Sequence, residues 1–514
     1  MANEYEVQRK RPIQYYASTL LVVLLLVALE IGILALHILW VSRTISVANL
    51  GLRLLSFLVM LHIVNQNESI AYKLAWCIPI LLIPVVGGFA YLIAKTRTYH
   101  KKAKKRIKET EKQVRAAMPH PHDPCSNAVL YGKENLCRYL EHKGFYAHSG
   151  DDVRYYSMGE NMFADLTEDL KTARHFIFLE YFIVQEGIMW NSILEILKEK
   201  AAQGVDVRIM YDGMGCIRTL PRKYTKKLAQ YGIKAKVFSP FVPVLSTLQN
   251  NRDHRKIAVI DGKIAYTGGI NLADEYINEV QRYGVWKDSA VRIEGGSADS
   301  FTKFFLSQWN MQTKNCNENM HAFFGNADNL HSKETVIPYS ISPLDEHACG
   351  KDVYLQIITS AKKYVYIMTP YLIPGDEIMN ALKIAAEGGV DVRLLTPHIS
   401  DKALVHIVTR SKYETLIASG VKVYEYTPGF IHSKNSVSDD VITTCGSVNL
   451  DYRSLYLHFE CGSVIYGEQT AKSAKEDFLE SIQISTEVTP EAAQKRSIFA
   501  RIYLSLIRTF EPLL

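Results

Sequence analysis

The sequence predicts an α/β protein built of two duplicated lobes, mixed sheets flanked by helices and related by a pseudo-twofold axis, behind an N-terminal α-helical membrane region. Three observations carry that prediction. One short polar pattern occurs twice with identical internal spacing. Four further landmarks recur in the same order about 180 residues apart. The apolar residues of an otherwise ordinary composition are concentrated at the start of the chain. At 514 residues the chain is long enough for two or three domains. The expected divisions are a membrane region over 1–100, a basic segment and linker over 101–150, lobes over 151–330 and 331–490, and a basic amphipathic helix over 491–514.

The repeated pattern is His254-Arg255-Lys256, Asp261 and Thr267-Gly268-Gly269-Ile270-Asn271, then His432-Ser433-Lys434, Asp439 and Cys445-Gly446-Ser447-Val448-Asn449. In both copies Lys follows His by two, Asp follows Lys by five and Asn follows His by seventeen. A single His-x-Lys reads most simply as a surface strand. The second copy, 178 residues on, reverses that reading. Residues two apart on a strand share a face, and Asp261-Gly262 is a hairpin signal, so each copy predicts strand, turn, strand with Asn beside His and Lys.

The other landmarks fill out the α/β unit. An amphipathic helix over 162–173 leads to an apolar strand ending at Glu180-Tyr181-Phe182, and 353–361 leads to 365–368 and Thr369-Pro370-Tyr371-Leu372. Gly204-Val205-Asp206-Val207-Arg208 matches Gly389-Val390-Asp391-Val392-Arg393, entering a core strand with a structural arginine. The segment at 232–237 matches 420–424. Alternating helix and strand implies a buried sheet covered on both faces, with both His-Lys units at the seam between lobes.

Each unit offers a nucleophile or acid (His), a fixed cation (Lys) and an amide donor (Asn), a set suited to a phosphodiester. Lys256, Lys434, Asn271 and Asn449 donate to phosphate oxygens and stabilise five-coordinate phosphorus. Two imidazoles facing across one phosphorus let one attack while the other protonates the leaving oxygen.

H-x-K-x4-D followed by G-[GS]-x-N, twice in one chain, resembles the phospholipase D superfamily. Leu179-Glu180-Tyr181-Phe182, Asn251-Arg252-Asp253 before the first motif, Trp286-Lys287-Asp288, and Asn449-Leu450-Asp451-Tyr452-Arg453-Ser454 ending at Glu460 narrow the resemblance to the bacterial cardiolipin synthases. It covers nearly the whole chain and implies phospholipase D-like lobes that condense two phosphatidylglycerol molecules into cardiolipin and glycerol. The implied catalytic set is His254, Lys256, Asp261, His432, Lys434 and Asp439. By family habit His254 attacks and forms a phosphatidyl-histidine, while His432 protonates the departing glycerol and then deprotonates the second lipid. Asp261 and Asp439 are expected to brace the motif turns. Asp288 and Glu460 are expected to bond the far nitrogens of His254 and His432, with surface salt bridging as the alternative. No metal or cofactor is implied, because two lysines supply the positive charge. A phospholipase D hydrolase, a phosphatidylserine- or phosphatidylethanolamine-forming transferase, a nuclease and a non-catalytic membrane scaffold are the rival readings.

Hydrophobic segments at about 17–40, 47–64 and 74–94 fit a multi-pass protein integral to the bacterial plasma membrane. The first carries Glu30, an acid that needs a partner or a proton at that depth. Lysines and arginines from Lys95 to Lys108 place the following lobes on the cytoplasmic side, and the basic start at Arg9-Lys10-Arg11 also prefers the inside, which favours two crossings over three. The same residues are a candidate contact for anionic headgroups. A net charge of +6 is too modest for a general nucleic-acid grip. Eight cysteines without CxxC or metal spacing read as reduced thiols. Apolar loops at 241–245 and 429–431 either admit acyl chains or pack under the seam. The amphipathic stretch 496–510 either lies on a membrane or docks on the second lobe.

Overall fold

A computed structural model describes residues 46–66, 70–94, 97–118, 131–239, 251–313, 318–327, 330, 332–345, 349–494, 504–505, 507–508 and 511. They belong to two compact units, one holding the described residues up to Ala94 and the other those from Arg97 onward.

In the first unit, helices Ser46–Val64, Ile70–Leu82 and Pro84–Ala94 pack around Val59, Ile63, Cys77, Ile80 and Tyr91. The apolar run expected at 74–94 is divided between two helices at Ile83-Pro84, because proline lacks the N–H that continues a helix. Gly88 admits the Ser56 side chain, whose hydroxyl donates to the Pro84 carbonyl at 2.5 Å. Among the described residues no helix is long and apolar enough to cross a membrane. The run at 17–40 and the loop at 241–245 lie outside the described residues.

The second unit holds both lobes. The first sheet runs Asp152–Tyr156, Ala290–Glu294, Ile264–Gly268, Lys256–Ile260, Phe176–Tyr181, Asp206–Asp212, Lys234–Phe238. The second repeats that order with Thr335–Ile341, Glu460–Tyr466, Ile442–Gly446, Asn435–Ser438, Tyr364–Met368, Asp391–Pro397, Lys422–Tyr426. His148–Ser149 and Ser485–Glu487 extend its two edges. In each lobe the strand leading to the seam pairs in parallel on one side and with the motif hairpin, antiparallel, on the other. Helices Gly159–Thr172, Ile188–Ala202 and Ser297–Met311 recur as Cys349–Ser360, Asp376–Glu387 and Glu468–Gln483. Apolar runs such as Phe176-Ile177-Phe178-Leu179 can be strands only because helices cover both faces, and all four are buried. Phe178 and Phe305 belong to the same core as Cys445, Cys461 and Ile465, which joins the lobes. Arg208 is buried against Asp206 and Glu318, a structural role as the sequence indicates.

The motif hairpins turn at Asp261-Gly262 and Asp439-Asp440, all four with positive φ. The Asp261 carboxylate accepts from the backbone N–H groups of Arg174, His175 and Phe176 at 2.7–2.8 Å. Asp439 accepts from Lys362, Lys363 and Tyr364 at 2.8–3.1 Å, and from the Lys133 ammonium at 2.8 Å. Each acid therefore pins the start of the neighbouring strand, at the opposite end of the motif strand from its histidine. Both acids thus brace the motif turns. The histidines depart from expectation. The ladders begin at Lys256 and Asn435, so His254 and His432 sit just before a motif strand and not within it.

One smaller expectation changes, and one open alternative is favoured. Cys137 is disulfide-bonded, so the thiols are not all reduced; Cys77, Cys216, Cys349, Cys445 and Cys461 are free and buried. Near the C-terminus, Arg508 donates to the Ser411 hydroxyl and carbonyl, and Glu511 accepts from Lys412, so these described residues dock on helix Ala403–Ala418.

Asp261→Ala leaves three backbone donors without their carboxylate. Loss of about 2–3 kcal/mol in chemical denaturation is expected, and wild-type stability would refute the bracing role.

Candidate active site

The site is built by a reciprocal exchange of chain between lobes. Gly429–Ile431, just before His432, pairs in parallel with Val285–Lys287 of the first lobe, and the His432 N–H donates to the Lys287 carbonyl at 2.7 Å. In return Asp253 bridges to Phe459, and the His254 N–H donates to the Phe459 carbonyl at 2.9 Å. The residue after each partner segment is an acid. Asp288 follows Lys287, and its Oδ2 lies 2.6 Å from His432 Nδ1. Glu460 follows Phe459, and its oxygens lie 2.9 and 3.0 Å from His254 Nδ1.

Taken in sequence order, Asp288 goes with His254 and Glu460 with His432. The structure crosses them. Both acids are fully covered, which also removes the surface salt-bridge alternative, and both histidines are buried. With Nδ1–H on a carboxylate, Nε2 is the nitrogen left to meet a substrate.

The two half-sites differ in how they hold the acid. Glu460 also accepts from the hydroxyls of Ser447 and Ser454. Asp288 accepts from the Ser289 N–H at 2.9 Å. At the position equivalent to Ser447 stands Gly269, where a Cβ would lie 2.0 Å from Asp288 Oδ1. The shorter acid approaches the backbone more closely, so its neighbour has no side chain. Gly268 and Gly446 serve a related purpose: a Cβ on either would come within 2.5 Å of the adjacent chain's backbone.

Lys256 and Lys434 are buried, and each ammonium donates to the carbonyl of its own motif histidine. Burial lowers the pKa of Lys256 to about 8 and of Lys434 to about 7, opposed by attraction to Asp288 and Glu460. Burial and Lys434 lower His432 to about 4, against the pull of Asp288. Burial, then Lys256, His458, Lys434 and His432, hold His254 well below its ordinary value, so both imidazoles and both lysines act on one another in one desolvated site. Burial raises Glu460 to about 8, partly offset by Lys256. Four basic groups crowded in a dry site shed protons, and an arriving phosphodiester anion restores them.

The asparagines are not equivalent. Asn271 accepts from the Ile183 N–H at 3.0 Å and donates to the Tyr276 hydroxyl at 2.7 Å, which leaves one N–H for a phosphate oxygen. Asn449 Oδ1 has no partner among the described residues. Phe430, at the seam, packs with Trp286 and His432, the ordinary-packing outcome for that loop.

Sequence reasoning missed His458. Its ring centroid lies 5.6 Å from that of His254, and neither ring nitrogen has a hydrogen-bond partner among the described residues. Its Nδ1 stands 3.7 Å from Glu460, too far for a hydrogen bond. The duplication held the signal: His458 precedes Glu460 by two, as Trp286 precedes Asp288, and the Trp286 ring lies 5.2 Å from that of His432. His254, His458 and Glu460 bring possible ligand atoms within 4.8 Å of one another. They suit a cation poorly, since Glu460 already serves His254 and two serines and is attracted to Lys256.

Two motif-bearing α/β lobes that share their histidine–carboxylate pairs define the class: a two-lobed phospholipase D-type phosphodiester enzyme. Known proteins make this specific. The family model "Cardiolipin synthase, PLD-like domain" matches residues 166–309 and 354–482, and "Phospholipase_D-nuclease N-terminal" matches 54–95. A Staphylococcus aureus cardiolipin synthase is 33% identical over 475 residues, 90% of this chain and 96% of that protein. An uncharacterized Streptococcus mutans protein is 41% identical over 469 residues, 88% of this chain and 99% of that one. The chain belongs to the cardiolipin synthase family of phospholipase D-like proteins. In fold it is similar to the phosphatidylserine synthase of Haemophilus influenzae, with a TM-score of 0.56 at 16% identity, covering 74% of this chain and 100% of that one.

Two outcomes test the geometry. Glu460→Gln should disturb the ring orientation and tautomer of His254 and Asp288→Asn should do the same to His432, each slowing turnover by about 10³–10⁴-fold; full activity in either variant refutes the crossed pairing. Because anion binding raises the depressed lysine pKa values, binding of a non-hydrolysable phosphodiester at about pH 7.5 should take up protons. Calorimetry in two buffers of different ionisation enthalpy reads this, and proton release would contradict it.

Proposed function

We propose that the chain is a phosphatidyltransferase that condenses two phosphatidylglycerol molecules into cardiolipin and glycerol. The observation that carries this is the completeness of both half-sites, each with a buried His, Lys and crossed carboxylate, in a chain of this family. His254 Nε2 attacks the phosphorus of the first lipid, and the P–O bond to glycerol breaks as His432 delivers a proton to the leaving oxygen. The neutral His432 then takes the proton from a headgroup hydroxyl of the second lipid. That oxygen attacks phosphorus, and the P–N bond to His254 breaks. Lys256, Lys434, Asn271 and Asn449 hold the non-bridging oxygens. A water-poor site closed around an alcohol acceptor favours transfer over hydrolysis.

The two half-sites are chemically unequal at one pair of positions, with His458 in one and Trp286 in the other. His458 is assigned to the headgroup of the lipid at His254. Burial, then Arg453, holds its pKa well below the ordinary value, which keeps the ring neutral. A neutral imidazole offers one donor and one acceptor, which match a phosphate oxygen and a neighbouring hydroxyl.

Membrane attachment through the first unit belongs to the same proposal. Its helices expose Leu54, Leu58, Leu61, Leu81, Leu82 and Phe89, and an apolar surface of this kind needs lipid or protein cover. The proposed arrangement is multi-pass attachment to the bacterial plasma membrane, with two crossings and the lobes on the cytoplasmic side.

Purified full-length protein with labelled phosphatidylglycerol is expected to yield cardiolipin and glycerol. Phosphatidic acid as the main product would establish the hydrolase instead. His254→Ala and His432→Ala should each lower synthesis by about 10³-fold or more, and EDTA should leave wild type active. Arrest by EDTA would overturn the metal-free account. His458→Phe should raise KM for phosphatidylglycerol about tenfold, and an unchanged KM would remove it from the headgroup site.

A further inference from the structure

The side chain between His254 and Lys256 belongs to a different cavity. Arg255 pairs with Glu180 at 2.6 Å and Asp253 at 3.2 Å, and it lines a cavity of about 660 Å³ that the catalytic groups do not enter. Helix Arg97–Ala117 contributes Lys108, Lys112 and Arg115 to the wall. Lys143 and Lys303 complete the basic lining, and Glu111 and Asp345 are the acids among the described residues there. Burial and Asp345 push Glu111 up to about 6, against the pull of Lys303, Arg255 and Lys108.

Two further observations point to a ligand. Gln308 is 4% exposed, lines the cavity, and its Nε2 has no hydrogen-bond partner among the described residues. A buried amide donor without an acceptor is costly unless something arrives to accept from it. Lys303 donates to the Gly144 carbonyl at 3.3 Å, a long bond to a neutral group. Burial, then Arg115, lowers its pKa to about 8, with Glu111 opposing, and its ammonium otherwise faces only the Phe145 and Phe304 rings, at 5.5 and 5.3 Å, among the contacts of the described residues. A concave wall on which basic groups outnumber acids also concentrates counter-charge.

We propose that this cavity binds a phosphate-bearing anion, either an anionic lipid headgroup or free phosphate, held by Lys303, the Gln308 amide and the basic face of helix Arg97–Ala117. Phosphate fits because its several acceptor oxygens can serve an amide N–H and two or more ammonium groups together. The cavity is distinct from the catalytic site, yet Arg255 adjoins His254 in the chain and Phe459, also on its wall, adjoins Glu460. An occupant therefore rests against both segments that carry the first half-site.

The test uses full-length protein in neutral detergent. Inorganic phosphate and dihexanoyl phosphatidic acid are titrated separately, with dihexanoyl phosphatidylcholine as the zwitterionic control, and binding is read by calorimetry. Lys303→Met and Gln308→Leu should each weaken anion binding at least tenfold, while Lys303→Arg stays within threefold of wild type. Loss for both anions supports a headgroup ligand, and loss for phosphate alone supports free phosphate. If neither anion binds wild type, or if Lys303→Met and Gln308→Leu bind as wild type does, the proposal is overturned. Gln308→Leu removes no charge, so it remains informative should Lys303→Met fail to fold.

Discussion

The structure depends on one reciprocal contact: each lobe supplies the carboxylate that orients the other lobe's histidine. The contact is made by backbone before it is made by side chains. The N–H groups of His254 and His432 bond to Phe459 and Lys287, and these bonds set the register that delivers Glu460 and Asp288 one residue later. A slip by one residue in either bridge would turn the acid to the opposite face. The shared core of Phe178, Phe305, Cys445, Cys461 and Ile465 holds the two sheets close enough for that register to persist.

Electrostatics explains why such a site suits an anion. Two lysines and two imidazoles share a buried volume with two acids, and their pKa values are depressed because water has been removed and, for Lys434 and both imidazoles, because like charges face them. That destabilisation is relieved when a negatively charged phosphorus centre enters, and most as charge builds on its oxygens in the transition state. The acids offset this field only in part, and each also holds a histidine and local donors.

Much of this was legible in the sequence because duplication writes the same constraint twice. The order of strands and helices, the motif hairpins and the meeting of His and Lys at the seam all follow from matched spacing. The crossing of Asp288 and Glu460 does not, because spacing within a lobe says nothing about which lobe completes a contact. Asp261 and Asp439 look catalytic through their place in the motif, whereas the strand between carries them to its far end. His458 was hidden because its twofold mate is Trp286, and a search for identical residues passes over a substituted pair.

The crossed carboxylates make the information for each half-site discontinuous. His254 and Glu460 are 206 residues apart, and His432 and Asp288 are 144 apart. The serine or glycine that shapes each acid's surroundings lies in the acid's own lobe, not in the histidine's. Severed halves would each retain an entire motif but no finished imidazole–carboxylate couple, so competence belongs to the assembled chain.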